Sequence, residues 1–244
     1  MKRFMPAFVA LVCVAPWGLV PAQDRDHLDE QILGAWQLEF TTPDGAEQRP
    51  LMILGREHDR YVAWGVLDGK PEPFRSVEIQ GDSLIATIEP SAFPDVTVTL
   101  ECGLAGDNRC SGVGRYRSTG GDDAGEWTLT GRRLGAADFD EHSTWRLAFD
   151  VPGDGPHEPL VTVVSRDGVW YGWYRGLDHD LPVRSLDVSG DRVTMVVAGT
   201  MADGQSVEAT FAGTVSGDLV KGTVTIRAGG ESSEVPFEGA VATE

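Results

Sequence analysis

Residues 34–40 read GAWQLEF, and residues 143–149 read STWRLAF. The Trp-x-Leu-x-Phe spacing returns 109 positions after its first appearance, and that offset, applied without gaps, aligns much more than the two tryptophans. Pro43 meets Pro152, Pro50-Leu51 meets Pro159-Leu160, and Trp64 meets Trp173. Pro73, Arg75 and Ser76 fall on Pro182, Arg184 and Ser185, and Gly81-Asp82 falls on Gly190-Asp191. One inserted residue in the second copy then brings Gly112 onto Gly222, and near the ends Glu126, Leu129 and Gly131 match Glu234, Phe237 and Gly239. Chance does not hold register over a whole copy. The chain reads as two homologous domains of about 100 residues, each long enough for its own core.

Inside each copy the apolar residues alternate with a period of two. Val77 and Ile79 alternate with Ser76 and Glu78, and Leu186 and Val188 alternate with Ser185 and Asp187. Half-buried antiparallel strands are the reading. Turn signals fall between them at Pro43-Asp44-Gly45, Gly81-Asp82, Gly106-Asp107-Asn108, Asp167-Gly168, Asp203-Gly204 and Gly217-Asp218. The expected fold is all-β: two tandem homologous antiparallel meanders of about eight strands each. Closing each meander into a small β-barrel removes two bare edges, so barrels are expected over a sandwich.

The N-terminus bears Lys2 and Arg3, then an apolar run broken by Pro6 and Pro16, then Val20-Pro21-Ala22. That pattern is a secretory signal peptide, with cleavage expected after Ala22. The expected divisions are a signal peptide (1–22), an N-terminal segment (23–33), a first repeat (34–133), a linker (134–142) and a second repeat (143–244). No later apolar run approaches the ~18 residues of a membrane helix, so no membrane insertion is expected after signal removal. A secreted or periplasmic location follows.

Removing Lys2 and Arg3 takes the formal charge from −18 to −20. Such a surface repels nucleic acid and anionic membranes. It could attract basic partners or reflect a high-salt habitat; a solubilising surface is the plainer reading. Beyond the signal the cysteines are Cys102 and Cys110. In an exported chain two cysteines this close read as one disulfide, with two free thiols as the alternative. They flank Gly106-Asp107-Asn108, which places them on adjacent strands, and the matching residues of the second copy are Phe211 and Val220. A bond there is a staple replacing an apolar contact, not a redox site.

Gly34-x-Trp36 resembles the opening signature of lipocalins and other calycins. The resemblance implies a Trp closing the barrel floor, covered by an Arg from the last strand. Trp36 and Trp145 are the floor residues it implies, and Arg132, with Arg133 beside it, is placed to cover the first. In the second copy Ser143 stands where Gly34 does, and Ala240-Val241 where the arginines do. The whole repeat is also similar to a small secreted bacterial β domain, carried here by residues 217–224, GDLVKGTV, and by Pro236-Phe237-Glu238-Gly239. Such domains occur alone, in tandem or appended to exported amidohydrolases. These are turn and core motifs, so the resemblance implies a fold and leaves the chemistry open.

No nucleophile elbow, zinc-protease helix, phosphate-binding loop or Cys-x-x-Cys is present. His27, His58, His142, His157 and His179 are scattered singly, and none recurs at the matching position of the other copy. Asp178-His179-Asp180 is the densest ligand-like cluster, but its counterpart contains Lys70 and a solvated loop is the simpler reading. No catalytic residue, metal site or cofactor is therefore expected. Arg75 and Arg184 share strand parity with the apolar pairs that follow, so each is expected to point inward near a barrel rim. There it could grip a ligand carboxylate or phosphate, or pair with a rim carboxylate. Trp64, Trp170 and Trp173, with Tyr61, Tyr171 and Tyr174, cluster on the third strand of each copy. One face of that strand must fill a core. The other packs against the sister domain or a ligand, which makes Trp64, Trp173 and Tyr171 candidates.

Three function classes remain: a non-catalytic binder of a small apolar or anionic molecule, an accessory module engaging an exported enzyme or the cell envelope, and a hydrolase with an unrecognised site. The first is the expectation.

Overall fold

The computed structural model describes residues 32–242 except 43, 68–69, 106–107, 122, 177–178 and 202–203. The expected signal peptide, His27 and Asp178 lie outside the described residues. No described helix is long and apolar enough to cross a membrane.

Among the described residues the first half holds ten strands: β1 (Gly34–Thr41), β2 (Glu47–Gln48), β3 (Leu51–Glu57), β4 (Arg60–Leu67), β5 (Lys70–Pro73), β6 (Ser76–Gln80), β7 (Ser83–Ile88), β8 (Val96–Ala105), β9 (Arg109–Ser118) and β10 (Ala124–Arg133). After a 3₁₀ turn at Ala136–Asp138 the second half repeats the count. Its strands are β11 (Glu141–Val151), β12 (Gly155–His157), β13 (Leu160–Arg166), β14 (Val169–Arg175), β15 (His179–Pro182), β16 (Ser185–Ser189), β17 (Arg192–Thr200), β18 (Ser206–Ser216), β19 (Leu219–Ala228) and β20 (Glu231–Val241). The fold is all-β and antiparallel.

Each half is a meander wound round on itself. In the first, β1 pairs with β10 on one side and β3 on the other, and the ladder runs β3–β4–β5 and β6–β7–β8–β9–β10. The second half repeats this with β11 between β20 and β13. Ten strands stand where eight were expected because β2 and β12 are short ribbons on the first strand, and one long strand is bent into β5 and β6, or β15 and β16. The expected barrel closure is corrected: the sheet is not closed. β4 has no strand pairing with β6, and the bent segment carries the circuit instead, bonding first to β4 and then to β7.

That bend also corrects the inward placement of the two arginines. Arg75 and Arg184 sit at the bends between β5 and β6 and between β15 and β16, where alternation is interrupted, and both side chains are exposed. Parity with Val77 or Leu186 does not reach across a bend.

Each shell is filled by its own side chains. Trp36, Leu38, Met52, Leu54, Leu84, Leu100 and Leu129 pack inside the first, and Leu147, Val161, Met195, Phe211, Val224 and Phe237 inside the second. The two cores differ by an exchange of volume. Ladder registers equate β7 with β17 at an offset of 109 residues, since Ser83 and Arg192 lead their strands. The β8 and β18 strands differ by 111, because Ser83 faces Gly103 where Arg192 faces Thr214. Cys102 is therefore matched by Gly213, and Phe211 by Leu100, which corrects the match of Cys102 to Phe211. A Cβ on Gly213 would stand 2.9 Å from the Phe237 ring. The first core places Cys102 and Leu129 where the second places Gly213 and Phe237.

Cys102 and Cys110 are both buried free thiols in this structure, so the expected disulfide is not formed in it. They are hydrogen-bonded to each other. That bond, and then burial, raise the Cys102 pKa, while the same bond lowers that of Cys110. Gly131 lies over them: a Cβ there would meet the Cys110 sulfur at 2.7 Å and Leu38 at 2.9 Å.

The floor of the first shell follows from one backbone angle. Gly34 has φ +115°, a conformation that favours glycine. Pairing of β1 with β3 begins there, opposite Leu54, and the preceding residues place Ile32 so that its carbonyl accepts a 2.7 Å hydrogen bond from the Trp36 indole. Trp36, Ile32 and Leu33 are all buried. Burying a Trp removes roughly 150–250 Å² from water, worth at most about 4–6 kcal/mol. In the second half β11 continues back to Glu141, and Trp145, opposite Val241, is only half-buried. Arg132 does not cover Trp36, which is a further correction. It pairs opposite Gln37, points to the other face, and binds Asp138 at 2.7 Å. Arg133 is the cross-strand partner of Trp36 and shares its face.

Candidate functional site

The early end of β1 leaves the last residues of β3 without a partner on that side, and the second half supplies one. In β15, His179 pairs with Glu57 and Asp180 with Arg56, so the two shells share a ladder. In the second half, Glu141 of β11 covers Ser165, the residue that matches Arg56. The seam thus depends on a difference between the repeats.

Gly55 makes the seam possible. A Cβ built on it would overlap the carbonyl oxygen of Asp180 and stand 2.8 Å from Pro182. The matching residue of the second copy is Val164, wholly buried. Beyond Gly55 the buried Glu57 carboxylate accepts hydrogen bonds from the Thr200 backbone N–H and from Arg60, the latter at 2.6 Å. The His58 Nε2 meets the Thr200 carbonyl at 2.8 Å, and its ring packs edge-on against His179 with centroids 4.3 Å apart. A buried carboxylate is tolerable only when paired and hydrogen-bonded, and Glu57 is both.

The outward face of β4 forms the rest of the contact. Val62 packs against the second core, while Val66 joins Ala35, Leu51 and Leu134 in a separate apolar cluster. Tyr171 and Trp173, on the outward face of β14, pack onto that cluster with Phe139. Burial raises the Tyr171 pKa. Tyr174, on the opposite face, fills the second core, and burial pushes its pKa up to about 12. The aromatic strand is therefore two-sided: one face fills a shell and the other joins the shells.

Between Val62 and Val66, Trp64 does not enter either cluster. It forms one wall of a cleft of about 440 Å³ in the seam. Pro73 and Phe74 of the first half line it too, with Leu181, Pro182, Gly199 and Val207 of the second and the buried Glu57. At the rim Arg184 donates to Glu208 at 3.2 Å, and Arg227 approaches the other Glu208 oxygen at 3.6 Å. The volume lies within the range of small-molecule sites, which favour boundaries between domains.

Of the residues singled out in the sequence, the cleft brings together Trp64 and Arg184. Arg75 lies apart, exposed and ion-paired with Glu89. Trp173 and Tyr171 serve the joint between shells. Glu57, His58, Glu208, Arg227 and Gly199 were not foreseen as site residues; the signal that could have found the seam is the break in the repeat at Gly55 against Val164. Of the Asp178-His179-Asp180 cluster, the two described residues take different partners: the His179 ring meets His58 edge-on and Asp180 binds Arg175 at 2.8 Å. Among the described residues no group of three His, Cys, Asp or Glu side chains could hold a metal ion.

No protein-family model matches the chain, and no curated protein matches it in sequence. Three solved structures, all β-rich, align over most of it. A candidate outer membrane protein of Bacteroides fragilis shares 11% identity over 87% of this chain and 98% of its own, with a TM-score of 0.30. A Nostoc punctiforme protein of unknown function from the DUF3598 family shares 14% over 87% and 97%, with a TM-score of 0.27. A candidate AttH of Nitrosomonas europaea shares 13% over 93% and 98%, with a TM-score of 0.22. Similarity at this level carries no functional argument.

Proposed function

We propose that this chain is an exported, non-catalytic binding protein that holds one small molecule with an apolar body in the cleft between its two shells. The supporting observation is the division of labour among side chains. Each shell is packed with its own core, while the seam keeps a 440 Å³ cleft walled by Trp64, Phe74, Leu181, Pro182 and Val207. Aromatic and aliphatic walls with a few polar groups at the rim are what such sites require.

Export rests on residues 1–22, and with it goes an oxidising compartment in which Cys102 and Cys110 are joined. Native mass spectrometry of protein purified from its own host tests the binding reading, since a retained molecule adds its mass. Val207→Trp fills the cleft from β18 and is expected to abolish that added mass and the quenching of Trp64 by apolar probes, with the unfolding midpoint unchanged. A bare chain mass together with no probe binding overturns the proposal.

An accessory role has one observation in its favour. At the end of the second shell Leu219 is 51% exposed and Val241 36% exposed beside the half-buried Trp145. Loss of a co-purifying envelope protein on Leu219→Asp would favour that reading over the cleft.

A further inference from the structure

We infer that the cleft selects a monoanionic amphiphile, a carboxylate on an apolar body, through Arg184 and Arg227. This rests on the binding reading above and adds the charge of the ligand.

The argument is one of valence and place. Among the described residues four charged side chains line the cleft: Glu57, Glu208, Arg184 and Arg227. Both oxygens of Glu57 are engaged, by Thr200 and by Arg60. Its charge is already matched by that of Arg60. Glu208 stands between two guanidinium groups, one oxygen toward each. One carboxylate against two guanidiniums leaves a surplus positive charge at the rim of a chain whose formal charge is −18. Each guanidinium carries five N–H donors in a fixed fork, and Glu208 takes the nearest of them. The side chains of Arg184 and Arg227 are 55% and 66% exposed, so their other donors face water. A ligand carboxylate can replace that water with charge-assisted bonds while its apolar part lies between Trp64 and Val207.

The first repeat lacks this arrangement. Ladder offsets match Arg75 to Arg184, Arg117 to Arg227 and Thr97 to Glu208, so the bridging carboxylate is absent there. Arg75 is instead committed to Glu89. Both arginines thus recur in the first repeat, and what is particular to the second is the carboxylate that holds them side by side at the cleft.

The test compares decanoate, decanol and decyltrimethylammonium by Trp fluorescence titration and calorimetry. The targets are the full mature chain, an Arg184→Met/Arg227→Met double variant, and Glu208→Gln. Decanoate is expected to bind the native chain about tenfold more tightly than decanol, the scale of a charged hydrogen bond. The double variant, with an unchanged unfolding midpoint, is expected to bring the two to parity, and Glu208→Gln to tighten decanoate alone. Equal binding of decanol and decanoate by the native chain overturns the anion inference and leaves the cleft reading standing. Preference for the ammonium also overturns it. If none of the three binds, both fall together.

Discussion

Gly55 of the first shell lies so close to the Asp180 carbonyl of the second that no side chain fits between them. The only heavy-atom space at that position is spent on a ladder between β3 and β15. Val164, the matching residue, is buried inside its own half. Gly55→Val therefore introduces the side chain that the repeat otherwise dictates. The expected result is a loss of about 1–3 kcal/mol, the usual cost of overpacking. Denaturation followed by Trp fluorescence and by far-ultraviolet dichroism should then give separated transitions, because the shells no longer melt as one unit.

Gly34 should resist substitution for a different reason. Its φ of +115° turns the chain so that Ile32 and Leu33 close over Trp36. Gly34→Ser installs the residue that the second copy carries at Ser143. Holding a non-glycine residue there costs about 1–3 kcal/mol. Urea unfolding should show that loss, with a red shift of tryptophan emission as Trp36 meets water. The reverse change, Ser143→Gly, should cost only about 0.5–1 kcal/mol, through chain entropy in β11.

The exchange of Cys102 and Leu129 for Gly213 and Phe237 predicts strong coupling. Phe237→Leu alone opens a cavity in the second core, and Gly213→Cys alone drives a sulfur into the Phe237 ring. Made together they recreate the first core's solution. The double variant should be at least 1 kcal/mol more stable than the sum of the single changes implies, which a double-mutant cycle reads directly.

Oxidation of the thiol pair is checked by the mass of the purified mature chain, 2 Da lower when the bond is present. In the chain-entropy account, joining residues 102 and 110 is worth about 2.5 kcal/mol. Reductant should lower the unfolding midpoint of the native chain accordingly and leave that of a Cys102→Ala/Cys110→Ala variant unmoved. Equal midpoints with and without reductant in the native chain would exclude the staple.

Tyr174 sets an alkaline limit. Its folded pKa of about 12 stands above the ordinary tyrosine value near 10 because the phenol is buried. The raised value means that the neutral form is the one the fold stabilises. Its contribution is complete below pH 10 and is lost as pH rises toward 12. Stability measured by denaturant titration should fall across that window, and Tyr174→Phe should flatten the fall. The change in absorbance at 295 nm should show one of the four tyrosines ionising after the other three.

Much of the architecture was legible because strands announce themselves locally. Trp36, Leu38 and Phe40 alternate, Gly81-Asp82 turns, and the repeat doubles every signal. The closing bend was not legible. At Arg75 and Arg184 the chain leaves one partner strand for another, which reverses no hydrophobic pattern and so left inward parity as the natural reading. Arg132 and Arg133 show the same weakness on a finer scale, since adjacent residues face opposite ways and the register alone decides which accompanies Trp36. The cleft was least legible of all. Trp64 carried the signal of an aromatic facing out of its shell, but Glu57 lies far in sequence from the cross-strand pair Glu208 and Arg227 and joins them at one cleft only when β15 docks on β3. The signal that could have pointed there, and was not used, is a departure from the repeat: glycine at 55 where the second copy has valine.

Because β15 completes the edge of β3, the duplication can no longer be undone by cutting between its copies. A scission in the 3₁₀ turn at Ala136–Asp138 would hand each fragment a raw strand margin and a greasy flank, and both would seek company in solution. The two halves depend on each other at this joint, and the hollow between them exists only while both are in place.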